Sequence, residues 1–457
     1  MKVGNSPPED PLEGRREPGH GAVMGNTDKT SILEDVSTKL KRIAELARKL
    51  TGKPLLSLAH HIDIDWMREA YGRTRKDGAP GIDEITAEEY EKDLEGNLRK
   101  LIDRFKSGTY KAPPVKRAYI PKPDGNRRPL GIPTFEDKVL QRAVTMVLEA
   151  VYEEEFLPTS YGYRPGVGAL HALRDLRVEL MRMGGGWVLE ADIKSFFDRL
   201  QHQHLRSFLD QRVRDGVIRR TINKWLKAGV MEEGRVHYPE DGSPQGGVIS
   251  PLLANIYLHE VLDVWFETTV KPLMRGKTRL IRYADDFVIC FERQDDAERI
   301  AKVLPKRFAK YGLTLHPDKT RLLDFRRPDK REDEPPTFDF LGMTHYWAQS
   351  RAGWWVIKRK TIGKRLTRKL REIWLWCRAN RHEPVEWQRK RLSSRLTGYY
   401  NYHGIPCNYR ALARLFRGVR YAWRYWLSRR SQRALIPWEE FERLFQLPSP
   451  RIIQRWV

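Results

Sequence analysis

Cysteine is scarce: the 457 residues hold only Cys290, Cys377 and Cys407, far apart along the chain. So few thiols exclude a disulfide framework or a thiolate metal cluster and fit a reducing compartment. Long apolar runs are also lacking. With 32% charged residues, no stretch approaches the roughly 18 to 20 apolar residues of a membrane span, so a soluble, cytoplasmic protein without a membrane partner is expected. The twelve histidines include the pair His60 and His61 but no spaced His or Cys set of the structural zinc type. Residues 1–28 carry Pro, Gly and both charge signs without an apolar core, so they read as a disordered tail and not a secretory signal. No internal repeat is visible.

Acid is missing in one place above all. The formal net charge is +24, and between Arg351 and Val457 stand 26 Lys and Arg against 6 Glu and no Asp, which puts +20 of the excess in that segment. Nine of the fourteen tryptophans lie there too. Cations laid against phosphates release condensed counterions, and interleaved rings stack on bases. A nucleic-acid partner fits this better than a merely solvated face or an anionic membrane.

Organisation follows from periodicity. Leu33, Val36, Leu40, Ile43, Ala47 and Leu50 make one apolar helical stripe. Gly72 to Asp83 is a Gly-rich basic loop, and Val115 to Pro133 reads as a cationic hairpin around a Pro-Asp-Gly turn. From Trp187 to Phe197 an apolar strand runs into a carboxylate, and from Leu280 to Phe291 two β-rich arms flank an acidic turn. The chain changes character near Pro335. Ile362, Leu366, Leu370, Ile373 and Cys377 form one helical stripe, and Leu412, Phe416, Val419, Trp423 and Trp426 a second. Their other faces carry the candidate nucleic-acid-binding cations, RNA-binding if the resemblance below holds: Arg365 and Lys369 on the first, and Arg410, Arg414, Arg417, Arg420, Arg424, Arg429 and Arg430 on or just after the second. The expected division is a tail at 1–28, an N-terminal extension at 29–110, a central region at 111–345 and a basic helical region at 346–457.

Asp285 and Asp286 are the sharpest signal. Two adjacent anions in a turn with buried arms are costly without a cation. Nucleotidyl transfer to a 3′-hydroxyl uses two divalent ions about 3.5 to 4 Å apart. Magnesium takes oxygen ligands, usually one or two carboxylates plus substrate phosphates, so Asp192 at a strand end together with this turn would suffice. In Gly242 to Pro251 the glycines permit close backbone approach to a ligand, and Ser250 before Pro251 reads as an N-cap and first helical position.

In order, GAPGID, RPLGIP, SYGYRP, ADIKSFFD, GSPQGGVISPLLANIYL, RYADDF, GLTLHPDKT and FDFLG closely resemble the polymerase motifs of group II intron-encoded reverse transcriptases, across about Gly72 to Gly342. GYYNYHGIPCN, WLSRRSQR and LPSPRI resemble the maturase, or X, domain of the same family. The resemblance implies an α+β right-hand polymerase fold, with fingers and a palm bearing an antiparallel sheet, followed by an α-helical thumb and X domain. It implies that Asp192 and Asp285 bind two Mg²⁺ ions, replaceable by Mn²⁺, with Asp286 as third catalytic carboxylate and the Ile193 carbonyl as a further ligand. Phe197 would exclude a ribose 2′-hydroxyl, and Gln245 would touch nucleotide and template. Lys122 and Arg128, with Lys116 and Arg117 beside them, would clamp the triphosphate, and Lys319 would sit near the leaving pyrophosphate.

The implied partners are an RNA template, a DNA primer or target, deoxynucleoside triphosphates and the intron RNA; the oligomeric state is not legible. No Cys-rich or His-Asn-His segment follows the X-like region, so a member of the lineage without DNA cleavage is expected. A splicing-only maturase and other bacterial reverse transcriptase lineages remain as alternatives. The three retained aspartates oppose the first, and the X-like segment opposes the second.

Overall fold

The computed structural model describes residues 28–121, 125, 127–232, 234–238, 241–242, 246–329, 336–431, 435–444 and 446–454. The expected tail up to residue 27, Lys122 and Gln245 lie outside the described residues. Helices α1 (Asp28–Lys49), α2 (Ile64–Arg73), α3 (Ala87–Glu91) and α4 (Leu94–Ser107) precede the strands β1 (Val115–Pro121) and β2 (Arg127–Ile132). Helices α5 (Phe135–Tyr152) and α6 (Ala169–Arg182) lead to β3 (Trp187–Ala191), then α7 (His202–Arg212), α8 (Gly216–Leu226), the short strands β4 (Val230–Glu232) and β5 (Arg235–His237), and α9 (Ser250–Leu258). The hairpin β6 (Thr278–Tyr283) and β7 (Asp286–Phe291), α10 (Gln294–Ala309) and β8 (Arg321–Asp324) complete the central region. Beyond it come β9 (Thr337–Phe340), β10 (Met343–Gln349), β11 (Trp355–Thr361), α11 (Gly363–Ala379), α12 (Val385–His403), α13 (Tyr409–Leu427) and α14 (Trp438–Leu444).

A four-stranded antiparallel sheet of order β6-β7-β3-β8 is the centre of the molecule. Because side chains alternate faces along a strand, Leu189, Leu280, Phe287, Ile289 and Phe291 enter one core while Val188, Ile281, Val288 and Cys290 enter another. The first core is completed by α1, α5 and α9, and the second by α6 and the sheet of β9 to β11. Buried on both faces, the sheet is a rigid platform. A second sheet, of order β2-β1-β4-β5, contains the cationic hairpin.

The apolar stripe of α1 buries Val36, Ile43 and Ala47. Helix α9 begins one residue earlier than the sequence suggests: Ile249 caps it and Ser250 is its first residue, which leaves Pro251 in the first turn, where its missing N–H is harmless. Helices α11 to α14 form a unit with its own core, including Leu366, Ile373, Cys377, Leu412, Val419 and Trp423. Helix α11 crosses α13 where Gly418 meets Leu370, with no room for a β-carbon between them. The small antiparallel sheet β11-β10-β9 runs straight across residues 345 and 346, between the expected central and basic helical regions. Among the described residues, no helix is long and apolar enough to cross a membrane.

Candidate active site

Tyr283 pairs with Asp286, so Ala284 and Asp285 alone make the turn between β6 and β7. A two-residue hairpin turn of the kind that matches strand twist needs positive φ, usually from Gly or Asn. Here Ala284 adopts φ +56°, a strain of roughly 1 to 2 kcal/mol for a residue with a β-carbon. Arg282 holds the turn in place. Fully buried, it donates to both Asp263 oxygens at 2.8 and 2.5 Å, to Asn255 Oδ1 and the Ala284 carbonyl at 3.0 Å each, and to Ser160 Oγ at 2.7 Å. All five of its N–H groups are thus engaged. Asp263 reaches it because α9 continues as wide helical turns over His259–Val264. From the other side the loop at 160–165 presses in: Asn255 Nδ2 donates to the Gly162 carbonyl at 2.6 Å, and a β-carbon on Gly162 would collide with the Ala284 nitrogen.

Asp192 stands at the end of β3, next to β7. Its carbonyl accepts the His316 N–H at 2.7 Å, and Lys194 N–H donates to the Thr314 carbonyl at 2.8 Å. These two bonds flank Ile193, which faces Leu315 as the non-bonded pair of an antiparallel bridge. The Ile193 carbonyl therefore takes no part in this pairing. The Asp192 carboxylate meets Lys319 Nζ at 2.8 Å.

The charges interact as a group. Burial pushes the Asp285 carboxyl up, and the nearby Asp192 charge adds to this while Arg128 and Lys319 oppose it. Asp286 opens to solvent but is crowded by surrounding chain. That burial, followed by the charges of Asp285 and Asp192, pushes its carboxyl up to about 7, against Lys319 and Arg365. Three mutually repelling carboxylates suit a hard divalent cation with oxygen ligands. Among the described residues, no three His, Cys, Asp or Glu side chains close into a complete cage, and the Lys319 ammonium is the cation directly on Asp192.

Other expected site residues fall at varied distances from this group. Arg128 lies on β2, exposed and near enough to act on Asp285. Lys116 and Arg117 alternate on β1; Lys116 lies 3.5 Å from Glu84, and Arg117 lies 3.7 Å from Glu232. Phe197 is half-buried, edge-on to the fully packed Phe196 at 5.5 Å. Its carbonyl lies 3.0 Å from where a β-carbon of Gly242 would be, so it borders the start of the GSPQGG segment.

The basic helices separate into different kinds of cation. Arg410, Arg414 and Arg417, exposed at helical spacing, share a face of α13 with the exposed Tyr421. Arg429, also exposed, covers the Tyr425 ring at 3.5 Å. By contrast Arg420 pairs with Glu442, Arg424 donates to the Ile436 carbonyl at 2.8 Å, and Arg430 donates to the Arg381 carbonyl at 2.6 Å and to that of Glu383. Lys369 is 9% exposed, with its ammonium 3.4 Å from Glu372. Arg365 is half-buried beside Gly342 and acts on Asp286, so it faces the carboxylates and not the outer helical surface.

Sequence reasoning missed Arg282, Asn255, Asp263 and Gly162. One signal was available: Arg282 is two residues beyond Leu280 on an apolar strand, so alternation puts a cation on the core face, where it needs an acid.

Residues 120–345 match the family model described as reverse transcriptase (RNA-dependent DNA polymerase). The chain is 34% identical over 291 residues to Protein YkfC of Escherichia coli (strain K12), covering 56% of this chain and 75% of that protein. It is 44% identical over 168 residues to the group II intron-encoded protein LtrA of Lactococcus lactis subsp. cremoris, covering 36% of this chain and 28% of LtrA. Nuclear intron maturase 2, mitochondrial, of Arabidopsis thaliana is 29% identical over 231 residues, or 42% of this chain and 30% of that protein.

Proposed function

The chain belongs to the reverse transcriptase family, among the group II intron-encoded reverse transcriptases and maturases, and on that premise we propose that it copies RNA into DNA and binds the intron RNA to assist splicing and mobility. The observation that carries the reading is the convergence of Asp192, Asp285 and Asp286 at the ends of adjacent strands, with Lys319 and Arg128 beside them. In this reading the β1/β2 sheet with its helices forms the fingers, the central sheet the palm, and α11 to α14 the thumb and X domain.

Asp192 and Asp285, with the Ile193 carbonyl, would hold two Mg²⁺ ions. When bound, these supply charge stabilisation for the attacking and leaving oxygens. The protein's own groups do the rest. Arg128 and Lys319 neutralise charge on the triphosphate as the α-to-β bond breaks. Half-exposed Phe197 narrows the space beside the sugar. The Arg282 network keeps the turn from yielding when substrates crowd it. On α13, the outward Arg410, Arg414 and Arg417 hold RNA phosphates, while Tyr421 offers a ring for stacking.

The test is primer extension on poly(rA) with Mg²⁺. Asp285→Ala with Asp286→Ala should lower synthesis by at least about a thousandfold while intron RNA binding stays within about twofold. Undiminished synthesis would sink the metal assignment.

A further inference from the structure

Away from the three carboxylates, the segments that join α4 to β1 and α8 to β4 border an open groove of about 660 Å³, which Tyr238, just past β5, also lines. Ala112, Pro114 and Ala228 give it an apolar surface. Its walls are tied together: Lys224 Nζ donates to the Gly108 and Tyr110 carbonyls at 2.6 Å each, and the Gly229 carbonyl accepts the Val115 N–H at 3.1 Å. Lys111, Lys224 and Lys227 line the groove, and among the described residues no carboxylate does. Lys111 and Lys227 are exposed, and Arg220 comes to the rim, its Nε 3.9 Å from where a β-carbon of Gly108 would be.

The ring of Tyr238 is 71% exposed, yet backbone supports it. Gly229, at φ +78°, lies so close that a β-carbon there would come within 3.0 Å of two ring carbons. An exposed ring beside cations with no acid among them suits one chemistry: a base stacks on the ring and the backbone phosphates take the ammonium groups. The sheet that borders the groove also carries Arg128. Arg128, close enough to act on Asp285, pairs with Ile120 of β1, whereas Pro114 in the groove precedes the start of that strand. Six residues of extended chain span roughly 20 Å, about the length of six stacked nucleotides. The exposed cations of α13, by contrast, stand on a unit with a separate core.

We propose that this groove binds the uncopied, unpaired part of the RNA template, with Tyr238 stacking on a base and Lys111 and Lys227 on the phosphates beside it. The proposal rests on the polymerase reading above, since a template read toward its 5′ end leaves a single strand ahead of the carboxylates. The separation sets a length. A template that ends within a few nucleotides of the carboxylates falls short of the groove, and one that runs on for about twelve reaches into it.

The experiment measures binding of a labelled DNA primer annealed to RNA templates whose 5′ overhangs are about two or about twelve nucleotides long. The wild type should bind the long overhang about tenfold more tightly than the short one. Tyr238→Ala should lose most of that difference, and Tyr238→Phe, which keeps the ring, should retain it. Lys111→Gln with Lys227→Gln should lower the log-log salt slope for the long overhang by roughly 1.4, at about 0.7 per contact on a single strand. None of these variants should change binding of the short overhang, or primer extension on it, by more than about twofold. Equal affinity of the wild type for the two overhangs overturns the inference, as does a loss in the variants that is the same on both. A matching loss on a closed RNA hairpin assigns the groove to folded RNA and overturns it too. Should Tyr238→Ala fold poorly, the lysine pair still decides the matter. A wild-type protein that extends no primer overturns the polymerase reading; one that extends both templates but binds them equally overturns this inference alone.

Discussion

Around the β6/β7 turn, Arg282 directs every donor it has into the protein, whereas along α13 Arg410, Arg414 and Arg417 face water. Identical side chains therefore do different work. A buried guanidinium with fixed partners defines geometry and tolerates no loss, because its partner carboxylate would stay buried and unpaired. An exposed one costs little to keep and contributes through the salt-dependent release of counterions. Catalysis in this reading rests on the first kind, and choice of RNA on the second.

The largest expected effect breaks the inner arrangement. Arg282→Met should destabilise the protein by about 3 to 5 kcal/mol, by leaving Asp263 unpaired. Urea melts would measure this, and a loss under about 1 kcal/mol would mean that the network does not hold the turn.

A middle effect sharpens the contrast within α13. Replacing Arg410, Arg414 and Arg417 with Gln should flatten the log-log salt dependence of RNA binding by roughly 0.7 to 0.9 per lost contact. The same change at Arg420, Arg424 and Arg430, whose donors serve Glu442 and the backbone, should lower the melting temperature and leave the slope nearer to wild type. Equal slopes for the two triple variants would erase the distinction.

The smallest effect concerns protons. The folded Asp286 carboxyl is raised to about 7, far above an ordinary unfolded Asp, so between those values the metal-free fold binds a proton that the unfolded chain has released. Stability from this group is complete at low pH and is lost as pH rises through about 7. In EDTA the melting temperature should therefore fall between about pH 4 and 7, and Mg²⁺ should restore it mainly at the higher pH. Asp286→Asn should shrink the fall; an identical fall in that variant would assign the titration elsewhere.

Much of the candidate site was legible in the sequence because its signals are local. A strand running into Asp192 and apolar arms about Asp285 and Asp286 appear in the structure as β3 and the β6/β7 hairpin. What sequence reading missed depends on distant pairings: Asp263 to Arg282 across 19 positions, and Asn255 to Gly162 across 93. Periodicity identified the faces of α11 and α13 but could not tell an outward Arg414 from an Arg430 bound to backbone carbonyls, since both lie on polar positions. Arg365 was misread for a related reason: its helix looks uniformly basic, and only the fold shows that this turn of it faces Asp286.

Strand β10 is continuous across residues 345 and 346, the expected division between the central and helical regions, and β11 ends at Thr361, whose N–H and hydroxyl both bond to Asn408 at 2.9 Å. Cutting the gene between residues 345 and 346 would thus sever a strand in mid-pairing and leave two pieces with raw sheet edges. The central region and the basic helices share a seam sewn from both sides, so any exchange of the helices between relatives would have to carry that seam along.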